Sequence, residues 1–275
     1  MDSKTILELC DKWRATVIQP DGSGHHNAHS RELTLLNQGC VFQDIDIDAI
    51  QAVCVGLTDR LHYRNSGQYI DEDQRQFWEW SAKLFSSDFA KKIIGTEIHS
   101  HLTDLVFPSL FCNENPFLEE PRLADPRYNQ FVIKLVRNQA RLLSYLTFPL
   151  LEAVARSICA TYISTDGTVL REFSVDGKIY VRGQRCNSLK HALMQAEALS
   201  STALSGLHYR LEQVVQRITP SEPLYMAIYT WRNETLHGND FAAIKNRIVF
   251  NIAILFLLEK CCENYKDLVS IAKKL

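Results

Sequence analysis

Apolar residues recur every three to four positions over most of this chain, the spacing of a single helical face. Ile6, Leu9, Trp13 and Val17 form the first such stripe. It predicts a helix from Ser3 to about Ile18, capped by Asp2 or Ser3 and closed by Pro20-Asp21-Gly22-Ser23-Gly24. A second helix is expected from Asp48 through Ile50, Val53, Leu57 and Leu61. A third is expected from the acidic start Asp71-Glu72-Asp73 through Phe77, Trp80, Leu84 and Phe85, and another around Thr96 to Leu110, with Pro108 near its end. A long helical pattern covers Arg127 to about Ile163, with Phe131, Leu135, Leu142, Leu146 and Leu150 on its apolar side and a kink at Pro149. Later come helices near Ser188–Ser200 and Ser205–Ile218, then one from Leu224 to His237 that takes Ser221 as cap and Pro223 in its first turn. A final helix from Phe241 towards Ala272 is apolar on one side through Ile244, Ile248, Ile252, Leu255 and Leu258.

One segment has a different pattern. The β-rich runs 168–175 and 178–182 flank Asp176-Gly177, a pair that favours a two-residue hairpin turn. The expected fold is therefore mainly α, a helical bundle with one small β-hairpin insertion near 168–182. Pro116, Pro121 and Pro126 make 113–126 the best linker candidate, with an ordered crossover loop as the alternative. The division drawn from this is an α-helical region 1–125 of unassigned role and a helical domain 126–275 that carries the hairpin.

Composition narrows the chemistry. A formal charge of −2 excludes a uniformly basic surface, so contact with nucleic acid requires a local positive patch. The eight cysteines show no zinc-knuckle spacing, and most lie in apolar stretches such as Ala52-Val53-Cys54-Val55, so reduced thiols and a cytoplasmic location are expected. Met1 is followed by polar residues, so no secretory leader is expected. The most apolar run, Ile248–Leu258, is too short to cross a bilayer and contains Asn251, so no membrane partner is expected. Phosphate-loop, dinucleotide-glycine and serine-elbow patterns are absent, and no cofactor is expected.

The most informative segment is Arg232-Asn233-Glu234-Thr235-Leu236-His237-Gly238. An Arg followed four to six residues later by a His has little weight alone, since Arg185 and His191 satisfy it too. Asn233 directly after the Arg, Gly238 directly after the His, and a position between two helices set the segment apart; Arg64-Asn65 and Arg137-Asn138 lack the His. With these features it resembles the HEPN superfamily, many of whose members are metal-independent endoribonucleases. The resemblance extends over the C-terminal half, from about Arg127. It implies catalytic roles for Arg232, Asn233 and His237, and a homodimer whose two motifs face each other across one composite active site. Some HEPN proteins carry a modified Tyr two residues after the His; Asn239 stands there here, which argues against that regulation.

The residue types suit the reaction. Imidazole transfers protons near neutral pH, a guanidinium holds charge on a phosphoryl group, and an amide orients it. On one helix Asn233 and His237 share a face, whereas Arg232 lies about 140° round from His237. Either the long arginine wraps around the helix or a second subunit completes the site. Glu234 reads as a solvated residue, or as a partner for Arg232 across subunits.

Lys178, Arg182, Arg185 and Lys190, with Phe173 and Tyr180 interleaved, make the hairpin a candidate RNA-contacting wing; a merely solvated charged face is the plainer reading. His25, His26 and His29, and separately His99 and His101 near Glu97 and Asp104, read as a solvent-exposed loop and a diverging helical pair rather than metal sites. The leading expectation is an endoribonuclease acting on RNA as a toxin or antiviral effector, with a cognate antitoxin or regulatory protein as a further partner. The alternative is a non-catalytic helical module that binds RNA, a nucleotide or a protein.

Overall fold

The computed structural model describes residues 1–17, 28–61, 72–113, 130–200, 202–237 and 243–275. The 62–71 and 114–129 segments, with Arg64, Asn65 and most of the linker candidate, lie outside the described residues, as do His25, His26, Gly238 and Asn239. The helices are α1 (Ser3–Val17), α2 (Ala28–Glu32), α3 (Ile47–Leu61), α4 (Glu72–Phe85), α5 (Asp88–Ile94), α6 (Thr96–Ser100) and α7 (Phe107–Asn113). A π-helical stretch, His101–Val106, joins α6 to α7. Then follow α8 (Gln130–Ile158), the strands β1 (Phe173–Val175) and β2 (Lys178–Tyr180), and α9 (Leu189–Ala198), α10 (Thr202–Gln216), α11 (Leu224–Leu236), α12 (Ala243–Lys260) and α13 (Tyr265–Ala272).

The centre is α3 crossing α12. Helices α1 and α10 flank α3, α8 flanks α12, and α9 and α11 pack over α8. The 1–125 and 126–275 stretches thus contribute to one continuous hydrophobic core. This explains why α3 is buried along its whole length from Ala49 to Leu61, polar residues included, rather than along one stripe. Likewise every residue of α12 from Asn246 to Glu259 is buried, where the sequence pattern predicted one apolar side. A helix wrapped by neighbours needs no polar face.

Buried polar groups on these helices are paired with one another. Asn251 accepts from Trp78 Nε1 at 2.7 Å and from Gln74 Nε2 at 3.3 Å. Its amide donates to Thr58 Oγ1 and to Gln74 Oε1, both at 3.1 Å. Asp73 forms a fully buried ion pair with Arg60 and accepts the backbone N–H groups of Leu35 (2.7 Å) and Leu36 (3.0 Å). Where α1 crosses α3, a Cβ on Gly56 would collide with Cys10 Sγ, so only glycine allows that approach.

Several expectations need correction. Helix α5, capped by Ser87 Oγ accepting from Ala90 N at 3.1 Å, falls in a stretch where no helix was expected. The last helix does not run to Ala272: the chain leaves α12 at Cys261, turns through Cys262–Asn264 and starts α13 so that Leu268 and Ala272 can pack inward. Leu142 is not on the buried side of α8 but 52% exposed. Pro149 sits within α8 without ending it, and His101 Nε2 donates to the adjacent Leu146 carbonyl at 2.8 Å. The hairpin is as expected, though shorter: Val175 pairs with Lys178, and Asp176 (φ 50°) and Gly177 (φ 72°) supply the two left-handed turn residues.

Replacing Asn251 with Leu strands the Trp78, Thr58 and Gln74 groups in the core. At about 1–3 kcal/mol per unsatisfied group, the unfolding free energy should fall by roughly 3–5 kcal/mol. Urea titration checks this against Lys273→Ala, which removes an exposed ion pair to Asp44 and should change it by less than about 1 kcal/mol.

Candidate active site

Helix α11 is set from its first turn. Pro223 (φ −60°, ψ 151°) occupies the N-cap without a side-chain cap bond, and Ser221, the expected cap, stands at φ 69° in the preceding turn. A proline here sacrifices no helical hydrogen bond, because the first N–H groups have no partner in the helix. Leu224, Ala227, Ile228, Trp231 and Thr235 form the buried face, and Trp231 Nε1 donates to Thr219 Oγ1 at 2.7 Å. With that face fixed, the helical period turns Met226, Thr230, Asn233 and His237 outward.

His237 ends the helix. Its backbone (φ −88°, ψ 1°) leaves the helical path while its N–H donates to the Asn233 carbonyl at 3.0 Å, and its imidazole is exposed. Asn233 is half-buried on the same face. Arg232 turns the other way, onto α8, where its Nη2 donates to Glu152 Oε2 at 3.1 Å. The second oxygen of that carboxylate takes Arg156 Nη2, and Arg156 Nη1 reaches the Thr165 carbonyl at 2.9 Å. One carboxylate thus spaces two guanidinium groups, leaving one net positive charge in a partly buried cluster; the side chains of Arg232 and Glu152 are 25% and 16% exposed. Glu234 pairs within the chain with Lys245 on α12 at 3.0 Å. Among the described residues no hydrogen bond or ion pair joins Arg232 to His237.

Glu152 and Arg156 are the residues that sequence reasoning missed. Their one local signal is the i,i+4 Glu–Arg pair on α8, which is common on any solvated helix. Their significance comes from Arg232, 80 positions away.

Of the basic hairpin residues, Lys178 and Lys190 lie elsewhere, whereas Arg185 pairs with Thr168 on the 165–168 loop that packs against Arg156. Lys190 is ion-paired with Asp176 at the hairpin tip, Lys178 sits 4.5 Å from the Tyr180 ring centroid, and Arg185 approaches Asp166 at 3.9 Å with both exposed. Arg182 is exposed. The hairpin is docked on α9 by Tyr180 Oη and His191 Nδ1 at 2.7 Å, and its tip lines a cavity with the first residues of α11. His237 is at the opposite end of α11, about 20 Å away at 1.5 Å per residue. The structure therefore does not bring Lys178 and Lys190 together with the Arg232 segment.

The other sequence candidates resolve as structural groups. His99 Nε2 faces the Ser86 carbonyl at 3.3 Å and His101 the Leu146 carbonyl. Among the described residues no group of three His, Cys, Asp or Glu side chains is placed to hold a metal ion. The cysteines described are free thiols, six of them buried. Burial pushes the Cys10 thiol up to about 11 and those of Cys159 and Cys261 to about 12, which leaves them as small apolar fillers rather than nucleophiles. No described helix is long and apolar enough to cross a membrane.

No family model, curated protein or solved structure matches the chain.

Because the Glu152 cluster is only partly buried, Glu152→Ala should lower the unfolding free energy by only about 1–2 kcal/mol while releasing Arg232 and Arg156. A urea titration, with circular dichroism to verify helix content, measures it.

Proposed function

We propose that this chain is an endoribonuclease of HEPN type that cleaves RNA by attack of a ribose 2′-hydroxyl, needs no catalytic metal, and acts as a homodimer in the role of a toxin or antiviral effector. The observation that supports this reading is an exposed His237 imidazole and a partly exposed Arg232 guanidinium, held by Glu152, at the same end of α11.

In the proposed reaction a base takes the 2′-hydroxyl proton, the 2′-oxygen attacks phosphorus, and the 5′-oxygen leaves with a proton from an acid. The products are a 2′,3′-cyclic phosphate and a 5′-hydroxyl. One imidazole cannot hold both proton positions at once. Two copies of His237, one from each protomer, would serve as base and acid, Arg232 and Arg156 would face the charge on the phosphoryl oxygens, and Asn233 would orient the phosphate. The angle between Arg232 and His237 on one helix also favours a second copy. So does the outward face of α8, where Leu142 (52% exposed), Tyr145 (42%) and Pro149 lead by helical spacing to Glu152 and Arg156, with Leu236 exposed next to His237.

A second reading, a non-catalytic binding module, is favoured by the Arg232–Glu152 contact itself, which serves equally well as an internal ion pair. The two readings separate in one experiment. Purified protein incubated with RNA in EDTA should yield fragments ending in cyclic phosphate, and His237→Ala and Arg232→Ala should each slow this by about 100-fold or more. Undiminished cleavage by His237→Ala would remove the assignment. Retained RNA binding with no cleavage would establish the module.

A further inference from the structure

Helices α1 and α10 both pack on α3, and where they meet, three arginines and two aspartates gather. Arg210 donates to both carboxylate oxygens of Asp11, at 2.9 and 2.8 Å. Arg217 is ion-paired with Asp59. Arg14 reaches both carboxylates at longer range, 3.4 Å from Asp59 Oδ2 and 3.8 Å from Asp11 Oδ1. Three guanidinium groups thus face two carboxylates. The cluster keeps one positive charge in excess, whichever way the pairs are drawn. The close contacts engage Arg210 and Arg217, so the excess falls on Arg14, whose side chain is 32% exposed.

That charge opens onto a recess. Arg14, Gln213, Gln216 and Arg217 line a concave surface of about 310 Å³. Each of these side chains carries N–H donors, and neither aspartate belongs to the lining. Gln213 and Gln216 stand three residues apart on one face of α10, and no hydrogen bond among the described residues engages either amide. Tyr209, one turn earlier on the same face and 66% exposed, lines an adjoining recess that shares Arg14 and Gln213.

A surplus positive charge ringed by donors favours an oxyanion. A carboxylate offers two oxygens in one plane, whereas donors arriving from α1 and from the end of α10 match oxygens that point in several directions. A tetrahedral phosphate has that shape, and guanidinium forks fit its edges. We infer that this recess is a binding site for a phosphate group, held by Arg14 and Arg217 through charge-assisted bonds and by the Gln213 and Gln216 amides. It uses none of the residues assigned to RNA cleavage and does not depend on that reading.

Phosphorus NMR line widths, recorded on the full chain at constant ionic strength, test it with inorganic phosphate as the probe. The expected Kd is below about 5 mM. Phenyl phosphate carries the same group on a ring. Binding tighter than inorganic phosphate by about threefold or more assigns the site to an organic phosphate stacked on Tyr209, and equal or weaker binding assigns it to free phosphate. Arg14→Gln should weaken phosphate by about tenfold or more. Lys12→Gln makes the same change of charge at an exposed position of α1 outside the lining, and should alter the affinity by less than about twofold. Gln213→Glu, which sets a carboxylate in the recess, should abolish binding with unchanged circular dichroism. The proposal is overturned by any of three results: no phosphate binding, affinity undiminished in Arg14→Gln or Gln213→Glu, or an equal loss in Lys12→Gln, which would mark a response to overall charge.

Discussion

The amide of Asn251 fixes the arrangement from which the rest of the structure follows. It sits at the middle of α12, in a run buried from Asn246 to Glu259. Packing of Ile, Leu and Phe side chains tolerates sliding and rotation, because many placements bury similar area. Four hydrogen bonds to Trp78, Thr58 and the two ends of the Gln74 amide do not. Cys54 Sγ adds a contact to the Asn251 backbone carbonyl at 3.1 Å. Rotation or axial slippage of α12 would leave these groups unpaired in a low-dielectric interior. One residue thus sets the register of α12 against α3 and α4. The burial of α12 against α8 then fixes α8, and α8 carries Glu152, on which Arg232 rests.

What the sequence discloses is set by locality. The α1 stripe, the α4 stripe and the Asp176-Gly177 turn depend on residues within a few positions of each other, and all three are found. Helix α5 was hidden because its seven residues hold less than two full periods, and only the Ser87 cap announces it. The end of α12 has no glycine or proline to mark it; the chain turns at Cys261 to send Leu268 inward, a packing decision rather than a propensity. The burial of Gln51, Thr58 and Arg60 on α3 was unreadable for the same reason, since their partners Glu259, Asn251 and Asp73 lie on other elements.

The candidate site follows this division. The Arg232–Gly238 segment was visible as a motif, and the opposed directions of Arg232 and His237 followed from helical geometry alone. That Arg232 lies on a carboxylate shared with Arg156 was not visible, nor that the hairpin tip shares a cavity with the far end of the same helix. Helix α11 therefore has two chemically distinct ends: a cationic, exposed one at His237 and a concave, mostly apolar one at Leu224.

The placement of α12 has a consequence for biosynthesis. Helix α3 leaves the ribosome nearly two hundred residues before α12, the helix that covers it. At roughly 5–20 residues per second, its surface waits on the order of ten seconds or more in the nascent chain without its cover. During that interval the buried Arg60, Thr58 and Gln51 cannot all find their final partners. The exposed face of α3 is therefore a surface that a chaperone meets before α12 does.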